Sequence, residues 1–120
     1  MPHILSVSYD EALLNSRQLI LESQGYRVTS ALGFQLALHA CKSAKYDLFV
    51  LGHSIPATDK EALIQEFRAN CPAPVIALTR INEPKVRGAD YQSETDPKLL
   101  VALIERILSG KERRADKGSR

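Results

Sequence analysis

The hydrophobic residues fall into short apolar runs that alternate with longer amphipathic segments. Short runs are typical of buried strands, whereas the longer segments keep an apolar residue every three or four positions, as one face of a helix does. The pattern predicts five strands, within HILSV, YRVTSA, DLFVLG, PVIALT and Ala89–Gln92. It also predicts helices after the first, second, third and fifth strands.

Capping residues mark the predicted helix ends. Ser8 with Glu11, and Thr58 with Glu61, have the Ser/Thr-x-x-Glu spacing of a capping box, in which side chains satisfy free backbone N–H groups. Gly25 lies where a glycine commonly ends a helix. The spacing therefore predicts that Ser8 begins the first helix and Thr58 the third.

The last predicted helix has Asp96 as its N-cap, Pro97 at its first position and Gly110 at its end. The segment that follows, KERRADKGSR, has five Lys or Arg against two Asp or Glu, a balance of +3. The sequence thus predicts one domain over residues 1–109 and a basic flexible C-terminal tail over residues 110–120.

Length and charge narrow the class of protein. The 120 residues, 44% of them hydrophobic, suffice for one buried core. The net charge is +2, so the chain without the +3 segment has a charge near −1, and we expect no nucleic-acid surface on the folded body. No apolar run could span a membrane. Cys41 and Cys71 lack metal-site spacing, and we expect them to be reduced, as in a cytoplasmic protein.

Strands that alternate with helices predict a doubly wound α/β fold, in which a parallel sheet carries helices on both faces. In such folds the functional site lies beyond the carboxyl ends of the strands. The candidate corners are therefore Ser8–Glu11, Gly52–Ile55, Thr79–Ile81 and Gln92–Thr95.

Several stretches occur together in a specific order and spacing: ILSV before an acid-containing turn, ESQGYRV, YDLFVLGHSIP, PVIALT, GAD, and DP before the last helix. On these stretches, roughly residues 3–109 of the chain resemble the receiver domain of bacterial two-component response regulators. The resemblance implies a flavodoxin-like fold whose five-stranded parallel sheet has the order 2-1-3-4-5.

The resemblance also implies a chemistry and its positions. In the family, a histidine kinase donates a phosphoryl group to an aspartate that ends the third strand, and an acidic pair after the first strand helps to bind Mg²⁺, a hard cation that suits carboxylates. Here the acceptor position is Gly52, and the pair is Ser8 and Tyr9, with Asp10 one position beyond. We therefore expect a pseudo-receiver that lacks the phosphoacceptor and does not bind Mg²⁺.

Two more positions of the resemblance contact the phosphoryl group in the family. The hydroxyl position after the fourth strand is Thr79, whereas the lysine position falls on Ser93, Glu94 or Thr95, none of which is a lysine. The resemblance thus predicts a degenerate pocket made of Ser8, Tyr9, Asp10, Gly52, Thr79 and Ser93.

The segment TRINEPKVRG, between the fourth and fifth strands, is shorter than its counterpart in the family, which forms a full helix. Only about one helical turn fits, and Pro84 restricts it further. We expect a shortened fourth helix and an altered face for partners, with Ile81, Val86 and Tyr91 as the candidate interaction residues.

Other chemistry has less support in the sequence. His53 beside Gly52 is a candidate substitute acceptor, although a lone histidine at a strand end more often packs or hydrogen-bonds. Asp10 and Glu11 are candidate cation ligands, but helix capping explains them better. The sequence shows no nucleophile–base spacing, so we expect no enzyme activity.

Two functions remain open. The first is a phosphorylation-independent receiver-like module of a two-component phosphorelay, which binds a signalling protein that the sequence does not identify. The second is a small-ligand sensor that uses the hydroxyls of Ser8, Thr79 and Ser93. No membrane partner is expected, and the sequence leaves the oligomeric state open.

Overall fold

The computed structural model describes the backbone of residues 1–80 and 83–118, and the side chains of residues 1–80 and 83–109. Strands and helices alternate over most of this length, as the apolar pattern predicts. The elements are β1 (His3–Ser8), α1 (Glu11–Ser23), β2 (Arg27–Leu32), α2 (Phe34–Ser43), β3 (Leu48–Leu51), α3 (Ala57–Asn70), β4 (Val75–Leu78), β5 (Tyr91–Ser93) and α4 (Pro97–Gly118).

The five strands form one parallel sheet in the order β2-β1-β3-β4-β5, which confirms the predicted fold class. Strand β1 pairs with β2 and with the central strand β3, with Val7 opposite Ala31 on one side and Leu51 on the other. Strand β5 is short and pairs with β4 through Tyr91–Ser93, two residues later than the predicted start. All carboxyl ends therefore meet at one edge of the sheet, where the site was predicted.

Side chains of alternate residues in each strand enter two separate cores, one on each face of the sheet. In β3, Phe49 and Leu51 join the core under α2 and α3, whereas Leu48 and Val50 join the core under α1 and α4. All four of these side chains are fully buried. This explains why β3 is an unbroken apolar run, since a strand covered on both faces has no polar side.

Both predicted capping boxes are wrong, because neither Ser8 nor Thr58 is the N-cap of its helix. Strand β1 extends through Ser8, and Asp10 is the N-cap of α1, where its Oδ1 accepts a hydrogen bond from the Leu13 N–H at 3.1 Å. Helix α3 begins at Ala57, so Thr58 lies inside its first turn. The last helix begins as predicted, because Asp96 Oδ1 accepts from the Lys98 N–H at 2.9 Å.

The C-terminal helix continues beyond its predicted end. Its backbone is helical through Gly118, so Gly110 does not end it. Ser119 and Arg120 lie outside the described residues, and the division into a domain over 1–109 and a tail over 110–120 stays a prediction.

The connection from β4 to β5 contains no helix within its described part, residues 83–90. The predicted shortened helix is therefore wrong for these residues, and Pro84 together with Gly88 at φ 91° accounts for the irregular backbone. Cys41 and Cys71 are free and buried, as expected. None of the described helices is long and apolar enough to cross a membrane.

Candidate functional site

Gly52 directly follows β3 and is buried at the carboxyl edge of the sheet. Its N–H donates to the Val7 carbonyl at 2.9 Å, which ties the end of β3 to β1. A Cβ atom at this position would lie 3.1 Å from Arg17 Nη2 and 3.2 Å from the Val7 oxygen. A side chain at Gly52 would therefore contact the guanidinium of Arg17, which would have to shift by a few tenths of an ångström.

Arg17 enters the site from the buried face of α1, where it lies between Leu14 and Leu21. The residue is only 8% exposed, and its Nη1 donates to Ser6 Oγ at 3.2 Å and to the Val7 carbonyl at 3.4 Å. Burial lowers the pKa of Arg17 to about 10, so it remains a cation at neutral pH. No carboxylate forms an ion pair with it among the described residues.

Lys60 is a second buried cation at the same edge, and it comes from α3. Only 2% of the residue is exposed, and its Nζ donates to the Leu78 carbonyl at the end of β4, at 2.9 Å. Burial lowers the pKa of Lys60, and the charge of Glu83 acts in the opposite direction. Lys60 thereby satisfies a carbonyl at the strand end, but it also brings positive charge to the corner.

His53 lies next to Gly52 and is half-buried. Its pKa is lowered first by burial and then by the positive charges of Arg80 and Arg17. The imidazole is therefore neutral at neutral pH, when it can donate one hydrogen bond and accept another. With Lys60 acting in the same direction, the electrostatic field around His53 is dominated by cations.

The predicted acidic-pair positions hold two loops together. Ser8 Oγ lies 3.2 Å from Ser54 Oγ and accepts from the Asp10 N–H at 3.0 Å. Ser54 Oγ also accepts from the Tyr9 N–H at 3.1 Å. Ser8 is fully buried and its hydroxyl is engaged in these contacts, and its predicted role in a sensor stays a prediction.

Tyr9 reaches across to α3, where its hydroxyl donates to Asp59 Oδ2 at 2.8 Å. Burial, followed by this hydrogen bond and the negative charge of Asp59, raises the pKa of Tyr9, so the phenol stays protonated. Tyr9 thus fixes the β1–α1 loop against α3. It also engages the Asp59 carboxylate, which lies near the site, in a hydrogen bond. Asp10, in turn, is committed to capping α1.

The remaining predicted pocket residues lie apart from Gly52 along β4 and β5. The Thr79 N–H donates to the Ser93 carbonyl at 2.9 Å, and Ser93 Oγ donates to the Glu94 carbonyl at 3.2 Å. Thr79 lines a cavity of about 380 Å³ with Arg80 and Glu94, which neither Ser8 nor Ser93 lines. The three hydroxyls therefore do not converge on one ligand.

The candidate interaction face is only partly described. Ile81 lies outside the described residues. Val86 is 5% exposed and packs in the core under α2 and α3, so it cannot present a surface to a partner, which corrects that prediction. Tyr91 is half-buried against the core under α1 and α4 and stays a candidate.

The residues at this edge do not suit Mg²⁺, which the resemblance implies. Mg²⁺ needs carboxylate oxygens in octahedral arrangement. Here Asp10 caps a helix, Asp59 accepts from Tyr9, and the Arg17 guanidinium fills the centre. Among the described residues, no group of three or more His, Cys, Asp or Glu could hold a metal ion.

An apolar cavity of about 300 Å³ lies beside Arg17, between α1 and the start of α4. Leu13, Ile20, Leu78 and Leu100 contribute to its walls, together with Arg17 and His53. The sequence interpretation missed this cavity and the roles of Arg17, Lys60 and Ser54. One signal was available, since Arg17 and Lys60 are charged residues on the apolar stripes of their helices.

Comparison with known proteins gives sequence relatives that are regulators. No protein-family model matches the chain. The chain is 26% identical to the transcriptional regulatory protein AfsQ1 of Streptomyces coelicolor over 92% of its own length and 49% of that protein. It is 31% identical to the transcriptional regulatory protein CseB of Streptomyces avermitilis over 88% of its length and 48% of that protein. The chain thus spans about half the length of these curated relatives.

Solved structures have the same fold. A two-component response regulator from Clostridium difficile superposes with a TM-score of 0.80 at 24% identity, over 91% of this chain and 97% of that one. A receiver domain of a sensor histidine kinase from Pseudomonas aeruginosa, with magnesium coordinated in its active site cleft, gives a TM-score of 0.77 at 24% identity, over 90% and 98%.

A third neighbour comes from a complex of the histidine kinase ThkA with the response regulator protein TrrA, with a TM-score of 0.74 at 23% identity over 90% and 99% of the two chains. These likenesses show the receiver fold. The chain is thus similar in sequence to transcriptional regulatory proteins and similar in fold to response regulator receiver domains.

Proposed function

We propose that this domain is a phosphorylation-independent receiver, a protein-interaction module of a bacterial two-component pathway. The observation that carries the proposal is the Arg17 guanidinium, which fills the space beside Gly52 where the resemblance predicts a phosphoacceptor carboxylate. Gly52 has no side-chain oxygen that could attack a phosphoryl donor. In this state the domain would signal through its presence, its partners or a ligand.

The charge around the corner supports the same conclusion. Arg17, Lys60 and Arg80 are cations near the end of β3, as their combined effect on His53 indicates. A divalent cation would be repelled there, and the carboxylates that would bind it are engaged elsewhere or absent among the described residues. Without the metal, transfer of a phosphoryl group would lack its main charge stabilisation.

A partner of the histidine-kinase or response-regulator class suits the receiver fold, because a structural neighbour comes from a kinase–regulator complex. The half-buried Tyr91 and the described part of the connection before it, residues 83–90, are the candidate surface. We propose a binding role and no enzymatic reaction. The polar side chains at the corner are used in hydrogen bonds to the strand ends and between the loops. The exposed Arg80 and Glu83 would then contribute to the charge that such a partner meets.

Acetyl phosphate tests the proposal on the intact 120-residue chain. Wild-type protein and Gly52→Asp are incubated with acetyl phosphate and Mg²⁺, and intact-mass spectrometry counts added phosphoryl groups. A receiver domain with a conventional aspartate is the positive control. We expect no adduct on either protein, because the new carboxylate would pair with Arg17 and would lack metal ligands.

Two results would contradict the proposal. A stoichiometric adduct on wild-type protein would reveal another acceptor, and a His53→Gln variant would show whether it is that imidazole. An adduct on Gly52→Asp at the rate of the positive control would mean that the missing carboxylate is the site's only defect.

A further inference from the structure

We infer that the cavity between α1 and α4 binds a small organic acid, with its carboxylate on Arg17 and its apolar body against the leucine and isoleucine walls. This inference deepens the proposed function, because such a ligand would be an input that replaces phosphorylation. Binding itself does not require that proposal to be right. Four features support the inference: the Arg17 cation, the apolar walls, the neighbouring polar groups and the cost of a buried Arg17 in stability.

Arg17 is one of the residues that line the cavity, and its guanidinium is only partly satisfied by hydrogen bonds. Nη1 of Arg17 bonds to Ser6 and Val7, whereas Nη2 has no protein acceptor among the described residues. Every fully buried side-chain nitrogen or oxygen in the described residues has a partner, so Nη2 faces accessible space. A guanidinium with a free edge suits a carboxylate, which accepts charge-assisted hydrogen bonds from it.

The walls select the rest of the ligand. Leu13, Ile20, Leu21, Leu78 and Leu100 line the cavity, which has a volume of about 300 Å³. That volume is at the lower end of ligand sites, which typically range from roughly 300 to 1,000 Å³. A short aliphatic or aromatic monocarboxylate fits both the size and the apolar surface. A highly charged ligand such as inorganic phosphate would lose its water without regaining enough polar contacts.

The polar groups next to the cavity favour a ligand that carries a single negative charge. His53 also lines the cavity, and as a neutral imidazole it can donate a hydrogen bond without adding charge. Lys60 and Arg80 add positive potential without lining this cavity. The ligand would therefore meet one formal cation directly, which matches one carboxylate.

The cost of Arg17 in stability supports a binding role. A buried cation without a paired carboxylate is expensive in the folded state. Leucine or methionine at position 17 would continue the apolar stripe of Leu14 and Leu21 without that cost. A residue that opposes stability at an accessible cavity is typical of a functional site.

Octanoate is the first probe, with 1-octanol and inorganic phosphate as controls for the apolar body and for the charge. The full chain is labelled with ¹⁵N, and amide shifts are followed during each titration. We expect saturable shifts with octanoate in α1 and around His53 and Leu100, a higher melting temperature, and at least tenfold weaker binding of 1-octanol and of phosphate.

Three variants locate the site. Arg17→Gln removes the cation and should weaken octanoate binding at least tenfold, since the charge-assisted contact with the carboxylate is lost. Ser16→Phe places a ring at the exposed rim of the cavity and should weaken binding similarly. Arg106→Gln makes the same charge change on the exposed face of α4 and should leave affinity within about twofold.

The inference is overturned if octanoate gives no saturable shifts, if Arg17→Gln binds it as tightly as wild type, or if 1-octanol binds equally well. Preferential binding of phosphate at Arg17 would also overturn it. Acetyl phosphate is tested separately with and without octanoate. If octanoate binds as expected while acetyl phosphate modifies the protein, the proposed function fails and the binding site stands.

Discussion

The two cores of the sheet bury apolar side chains, whereas the carboxyl edge of the sheet also buries charged ones. In the cores, each strand sends alternate apolar side chains to opposite faces, and all four residues of β3 are fully buried. At the edge, within a few ångströms of the same strands, Arg17 and Lys60 are buried although they carry charge. The cores explain why the chain folds, whereas the edge has charged groups that folding alone does not require.

Phe67→Ala would test the structural side of this comparison and should have the largest effect. Phe67 is fully buried and stacks on Phe49 with ring centroids 4.3 Å apart. Its truncation leaves a cavity and should lower the free energy of unfolding by about 3–5 kcal/mol, measured by urea denaturation. Leu19→Ala, at a position 70% exposed, is the control and should change it by less than about 0.5 kcal/mol.

Arg17→Met would test the functional side, and we expect the opposite sign. Replacement of the buried cation by an apolar side chain of similar length should raise the free energy of unfolding by about 1–3 kcal/mol. The loss of a donor to Ser6 Oγ limits the gain. Arg106→Met is the exposed control. A loss of stability in Arg17→Met would mean that this guanidinium is a structural element like those of the cores.

Gly52→Ala would test how closely the Arg17 guanidinium packs against the end of β3. The new Cβ would lie 3.1 Å from Arg17 Nη2 and 3.2 Å from the Val7 oxygen, so we expect a loss of about 1 kcal/mol in the free energy of unfolding. Combined with Arg17→Ala, the loss should shrink, because one of the two close atoms is gone. Purely additive effects in this double-mutant cycle would mean that Arg17 does not fill the corner in solution.

The pH dependence of stability should be the smallest effect. The pKa of His53 and the pKa of His3 are lowered from 6.5, mainly by burial, so the unfolded chain takes up these protons first as the pH falls. Stability from both residues is therefore fully present above about pH 6.5 and is lost below it.

Urea denaturation between pH 7.5 and 5.5 would measure this loss. His53→Gln should make the free energy of unfolding less dependent on pH, and the exposed His39→Gln is the matched control. If His53→Gln left the dependence unchanged, burial and the nearby cations would not be lowering the pKa of this imidazole as the structure indicates.

The sequence predicted the fold well, because the evidence for it is local. The period of apolar residues distinguishes strands from helices, and alternation of the two leaves few topologies. The predictions that were wrong concern residues whose contacts in the fold are with residues distant in the sequence. Ser8 was expected to cap α1, but its hydroxyl bonds to Ser54, 46 positions away. Val86 was expected on a surface, but its side chain packs into the core while its neighbours in the irregular segment are exposed.

For the corner around Gly52, the sequence predicted only that the acceptor side chain is missing. The resemblance placed Gly52 at the acceptor position, yet nothing local indicated which atoms would occupy the free space. Arg17 and Lys60 have long side chains, and their end points depend on the packing of α1 and α3 against the sheet. A charged residue on an apolar helical stripe was the available signal, because burial of such a residue needs a reason.

An amide NMR titration with Mg²⁺ followed by beryllofluoride would test the central claim most directly. The claim is that Arg17 has replaced the phosphoacceptor chemistry at Gly52. The account predicts no saturable shifts at Ser8, Gly52, Thr79 or Tyr91, because no carboxylate cluster is present to bind the metal among the described residues. Saturable shifts that spread from Gly52 to Tyr91 would contradict it and would mean that the corner still works as a phosphorylation switch.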